Sequence, residues 1–142
     1  MNINQALKAK NKLTSEIREL YSILHSNNSI VEGNTRHYGV EEILNKINAL
    51  SGELVELKAK IHTANTPIYN KIFQLSELKA MAKNIKNLDC TEGTSNSRWG
   101  EEAVKRVVEI NVRQRDEMVK NLEAQIEAIQ NELDAWNYTT QI

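Results

Sequence analysis

The chain has 142 residues, with 18 basic and 19 acidic side chains, a formal net charge of -1 and only one Phe, two Trp and four Tyr among its apolar residues. That balance excludes a general DNA-coating role, which needs a net basic face to release phosphate counterions, so nucleic acid is not an expected partner. The single cysteine, Cys90, excludes a disulfide framework and fits a reducing compartment, and no apolar run reaches the ~20 residues that span a bilayer; the expectation is one cytoplasmic domain with a thin aliphatic core and no membrane partner.

One proline and five glycines leave long uninterrupted stretches for helical periodicity. In the first, Ile3, Ala6, Lys10, Leu13, Ile17, Leu20 and Leu24 alternate spacings of three and four, which predicts a helix over 3–26 packed lengthwise on another. Asn2 and Gln5 form a capping pair at its start, and the Ser26-Asn27-Asn28-Ser29 run competes for backbone hydrogen bonds at its end. The second stretch repeats the alternation through Val40, Ile43, Ile47, Leu50, Leu54, Leu57, Ile61 and Ala64, predicting a helix over 40–65. Gly52 within it reads as close packing or simple tolerance, not as a hinge. Thr66 before Pro67 pairs an N-cap residue with a first-turn proline, so a third helix is expected over 67–88, with Ile68, Ile72, Leu75, Leu78, Met81 or Ala82, Ile85 and Leu88 as its stripe.

From Asp89 to Gly100 the chain is polar and aperiodic and reads as a loop. Alternation through Val108 and Val112 predicts a short strand over 108–112. A last helix over 113–137 carries Val119, Leu122, Ile126, Ile129, Leu133 and Trp136, and Tyr138 to Ile142 should leave it. The fold class is therefore all-α: about four long antiparallel helices in a bundle. Narrow stripes on long helices leave apolar groups that one copy cannot cover, so a homo-oligomer is expected. Residues 1–30 carry a net +2 and residues 117–142 a net -4, an asymmetry that suits edge contacts between elements.

The chemistry is sparse. His25, His37 and His62 lack metal-ligand spacing, so no metal is expected. Ser76 and Lys79 match Ser-x-x-Lys, but such pairs arise freely in lysine-rich helices and no companion motif follows. Glu41 with Glu42, and Glu101 with Glu102, suit helix starts better than acid-base work. Cys90 has no evident activating base. Neither enzyme activity nor a cofactor is expected.

One constellation stands out. Between Arg98 and Arg115, five bases (Arg98, Lys105, Arg106, Arg113, Arg115) outnumber three acids and accompany Trp99, while Trp136 and Tyr138 adjoin Asn137, Thr139 and Thr140. Guanidinium groups bind phosphate, aromatics stack on bases, and Asn or Thr read polar edges. The same residues also suit structural duties, with Trp99 capping the bundle end and arginines pairing with glutamates of a neighbouring subunit.

Several short pieces, in order and separation, resemble the septicolysin-like family of short bacterial and phage helical proteins: Gln5-Ala6-Leu7, Asn28-Ser29-Ile30-Val31-Glu32-Gly33, Ile61-His62-Thr63-Ala64-Asn65-Thr66, Arg98-Trp99 before Val104 to Val112, and Asn137-Tyr138-Thr139-Thr140-Gln141-Ile142. This chain departs from that pattern with Tyr138 for a tryptophan, Trp99 for a tyrosine and His62 near an expected asparagine. The resemblance implies an all-helical oligomer and little about activity, because the family is largely without an assigned role. It places polar motif pieces at loops and helix ends, where sites tend to lie.

Two functions are therefore expected in competition. In the first, a non-enzymatic oligomer sequesters a small anionic nucleotide-type signal in inter-subunit pockets. Arg98, Arg113 and Arg115 meet phosphates, Trp99 or Tyr138 stacks, and Asn65, Asn137 and Thr140 read polar edges. In the second, the helical seams bind another protein as a structural adaptor, and Lys10 fixes the register.

Overall fold

The computed structural model describes residues 1–95 and 102–142. It contains helices α1 (Ile3–Asn28), α2 (Val40–Asn65), α3 (Tyr69–Lys86) and α4 (Val112–Thr139), with strands β1 (Gly93–Ser95) and β2 (Val104–Arg106). A 3-10 turn, Thr66–Ile68, joins α2 to α3 without a gap. The chain is thus mainly helical, as the periodicity predicts. It divides into two compact units, Met1–Pro67 with Ala135–Ile142, and Ile68–Asp134.

In the first unit α1 and α2 form an antiparallel pair whose seam follows the predicted spacing. Ile3, Ala6, Ile43, Ile47 and Ile61 are buried, while Leu13, Ile17, Leu20, Leu24 and Lys10 are half-buried. Reciprocal hydrogen bonds between Asn2 and Gln5 satisfy two orphan donors at the start of α1, with Gln5 N donating to Asn2 Oδ1 at 2.8 Å and Asn2 N to Gln5 Oε1 at 2.9 Å. At the other end, Arg36 from the connecting loop donates Nε to the Asn27 carbonyl and Nη2 to the Asn28 carbonyl, both at 2.9 Å. A cation there meets the negative end of the helix dipole. The end of the chain closes on its beginning: Ile3 N donates to the Thr140 carbonyl at 3.1 Å, Ile142 N to the Met1 carbonyl at 3.0 Å, and Asn2 pairs with Gln141 in an antiparallel bridge. Under that clasp Ile3 and Ala6 are fully buried.

In the second unit, Leu75 and Ala82 of α3 and Val119, Leu122, Ile129 and Leu133 of α4 are buried. Ala82 and not Met81 fills the ambiguous stripe position; Met81 is exposed. Two ion pairs join the helices, Lys71 with Glu132 and Lys86 with Glu123. The strands form a two-stranded antiparallel ribbon in which Gly93 faces Arg106 and Ser95 faces Val104. Gly93 opens it at φ +102, a conformation that glycine adopts without steric cost.

Three expectations are corrected. The strand lies at Val104–Arg106 instead of 108–112, and its partner β1 falls inside the stretch read as loop. Asn111 is the reason the downstream segment is not a strand: its Oδ1 accepts from Gln114 N and its N–H donates to Gln114 Oε1, both at 2.9 Å, so Val112 already begins α4. Thr66 does not cap α3. Its backbone is helical at φ -51 and ψ -43, and its hydroxyl donates back to the His62 carbonyl at 3.4 Å, so the chain tightens into the 3-10 turn and α3 begins at Tyr69. Tyr138 and Thr139 belong to α4, which ends two residues later than expected because Thr140 N still bonds the Trp136 carbonyl at 2.9 Å. At Gly52 a Cβ would meet nothing within 4 Å, which decides for tolerance over close packing.

Candidate functional site

The residues expected to form a ligand site fall into two groups, one in each unit, and Arg98 and Trp99 lie outside the described residues. Arg113 and Arg115 stand in the first turn of α4, in the second unit. Asn65, the last residue of α2, belongs to the first unit with Asn137, Tyr138 and Thr140 at the far end of α4.

The two arginines differ sharply. Arg113 is exposed and its Nε lies 3.7 Å from Glu117 one helical turn on, a contact that exposed pairs form at little net gain. The Arg115 side chain is only 25% exposed. Its Nε lies 3.2 Å from Asp116 Oδ1, and its Nη1 donates to the Leu88 carbonyl at 3.4 Å. That carbonyl belongs to the segment just after α3, so Arg115 ties the start of α4 to the end of α3. Beside it opens a depression of about 240 Å³ lined by Lys86, Arg115, Asp116, Val119, Lys120 and Glu123. Three cations face two carboxylates there, and since Asp116 engages Arg115 and Glu123 engages Lys86, Lys120 carries the surplus positive charge. The volume is below the 300 Å³ or so at which pockets enclose a drug-sized ligand, but it suits a phosphate group. Sequence reasoning missed Lys86 and Lys120: Lys86 comes from another helix, and only the packing of α3 on α4 reveals its proximity. Lys120 lies on the same helix as Arg115 but five residues on, a spacing that does not mark a shared face, so it too appears at the recess only in the folded structure.

The first-unit group has a different character. Tyr138 is 64% exposed, so its ring is open to stacking, while its carbonyl accepts from Asn2 Nδ2 at 3.2 Å. Thr140 spends both backbone groups on structure. Asn65 Oδ1 and Trp136 Nε1 are shielded from solvent and have no hydrogen-bond partner. An acceptor and a donor in that state are costly unless water or a ligand completes them. One turn before Asn65 an open groove of about 450 Å³ is lined by Ala59, Lys60, Thr63, Ala64, Gln141 and Ile142, with Lys60 its one cation.

Asp89 carries the one resolved electrostatic shift among the described residues. Hydrogen bonds from the Thr91 side chain and from Thr91 N, the latter at 2.9 Å, hold its carboxyl below the ordinary carboxylate range, with Arg106 adding a smaller attraction. These bonds form the turn leading into β1. Cys90 beside it is buried. Among the described residues no group of three His, Cys, Asp or Glu is placed to hold a metal ion, and no helix is long and apolar enough to cross a membrane.

Neither the curated proteins nor the solved structures contain a match to this sequence. A family model does match, over residues 10–142, and the chain belongs to that family, one of unknown function designated DUF6847.

Proposed function

We propose that the protein is a non-enzymatic binding protein that, as an oligomer, holds a small anionic nucleotide-type ligand in pockets between subunits. The observation that carries this reading is the Arg115 depression, where a largely covered guanidinium stands with Lys86 and Lys120 in a recess of phosphate size. Arg115 takes the phosphate by a charge-assisted contact, competing with Asp116 for it. Because the recess is too small for a whole nucleotide, base and sugar extend beyond it to aromatic and amide groups of another copy, for which Tyr138, Asn137, Thr140 and the unpartnered Asn65 amide oxygen are candidates. Arg98 and Trp99 complete the proposed set, and Arg113 is an outer contact.

Native mass spectrometry with added ADP-ribose tests this. A discrete oligomer retaining the nucleotide is expected, with at least tenfold weaker retention for Arg115→Ala and a smaller loss for Arg113→Ala. No retention by the wild-type protein, or retention unaffected by Arg115→Ala, overturns the reading.

The half-buried seam of α1 favours a second reading, a structural adaptor whose helices bind another protein. Lys10 on that seam then sets register, and Lys10→Leu shifts assembly size or partner choice; an unchanged profile counts against it.

A further inference from the structure

α3 is apolar on two sides. Its inner stripe is covered, but on its outer side the Phe73 ring stacks on Tyr69 with centroids 5.6 Å apart, and Phe73 and Met81 are 63% and 51% exposed. An exposed phenylalanine stacked on a half-buried tyrosine of a helix is the kind of anchor that protein interfaces use. At 100° per residue, Lys79, Lys83 and Lys86 project along one side of α3, with Tyr69 and Phe73 next around the helix. On α4, Asp116, Glu123, Glu127 and Asp134 fall within an arc of about 40°, interrupted by Lys120 nearby. The Lys86 to Glu123 ion pair, at 3.0 Å, shows that the basic and acidic stripes border the same flank of the second unit. Lys79, Lys83 and Glu127 have no ion-pair partner among the described residues.

Parallel stripes of opposite sign on one flank are self-complementary: a two-fold rotation sets each basic stripe against the acidic stripe of the other copy, twice per dimer. We propose that this flank is where a second copy of the chain docks, with Lys79 and Lys83 facing Glu127 and Asp134 across the two-fold and the Tyr69–Phe73 stack covered at its edge. The inference rests on the self-association part of the function proposed above and not on its ligand.

The test is sedimentation velocity of the full chain at low salt, with helicity followed by circular dichroism. Wild-type protein is expected at or above twice the 16.2 kDa chain mass. K79E/K83E is expected to halve the assembly mass with helicity intact, and adding E127K/D134K to that variant restores it. Phe73→Asp weakens the same contact independently. A wild-type monomer, or an assembly whose mass neither K79E/K83E nor Phe73→Asp changes, overturns the inference. So does a mass lost on K79E/K83E that the reversed acids fail to restore, which points to another protein or to a different face. ADP-ribose retention is read on the same samples: retention by an assembly indifferent to these variants sinks this interface and leaves the binding function standing, and a flank-dependent assembly that retains nothing does the reverse.

Discussion

The two helix pairs solve the same packing problem differently. The Cα atoms of α1 and α2 repeatedly approach within 8 Å, whereas those of α3 and α4 hardly do. The ion pairs of the first pair are local, Lys12 with Glu16 and Lys46 with Glu42 one turn apart on their own helices; the second pair has local ones too, Arg113 with Glu117 and Arg115 with Asp116 on α4, but adds two that cross between helices, Lys71 to Glu132 and Lys86 to Glu123. Close approach over a mainly aliphatic seam, with Lys10 its charged exception and the clasp between the chain's beginning and end closing one end, gives the first pair its register largely through shape. The second pair, whose backbones stay farther apart, adds flanking charges that bear on which way and how far along the helices meet. Hydrophobic contact supplies most of the stabilisation in both, and charge supplies mainly register in the second.

The largest way to break this contrast is at the clasp. Ile3, fully buried beneath it, should lose about 2–4 kcal/mol on Ile3→Ala, read by urea unfolding monitored at the helical circular-dichroism band. A loss below about 1 kcal/mol would show the clasp to be loose. The two capping boxes give a matched comparison at smaller scale. Asn111→Ala should cost about 1 kcal/mol, and Asn2→Ala more, because Asn2 also donates to the Tyr138 carbonyl. Equal losses would mean that the Asn2 to Tyr138 bond adds nothing. Gly52→Ala should stabilise by up to about 1 kcal/mol, since the position is helical and a methyl group meets open space. Smallest of all, Lys71→Ala and Lys86→Ala should each cost under about 1 kcal/mol at low salt and nothing measurable in molar salt.

Acid tests the second unit through Asp89. Asp89 is held below its ordinary carboxylate range by Thr91, so its contribution is present above the unfolded-state value and is lost as pH falls through the lower folded value. Protonation should loosen the turn before β1. A carboxyl resonance titrating at the ordinary carboxylate position would remove that contribution, and Thr91→Ala should move it part of the way back, since the backbone N–H of residue 91 and Arg106 still hold it down.

Much of the architecture was legible because each signal was local. The alternating spacing of Ile43, Ile47, Leu54 and Ile61 marks a buried stripe whatever it packs against, and the bounds of α2 coincide with the predicted ones. Asn2 with Gln5 announces a helix start, and Asn111 with Gln114 carries the same signature, a local cue for a helix that outweighs the apolar alternation over 108–112. β1 was illegible because Gly-Thr-Ser has no apolar alternation and forms a strand only by pairing with β2. For the candidate site, the guanidinium of Arg115 was foreseen but not its setting, since Lys86 and the Leu88 carbonyl approach from another helix.

By itself, then, the sequence determined helix positions, capped starts and buried stripes, because these depend on periods of a few residues and on hydrogen bonds within one turn. Tertiary structure decided the rest. Which stripes meet, which lysine faces which glutamate, where Arg36 finds the end of α1, and the separation of Arg113 from Arg115 into an exposed and a covered guanidinium all depend on residues distant in the chain, whose interactions exist only once the helices have packed.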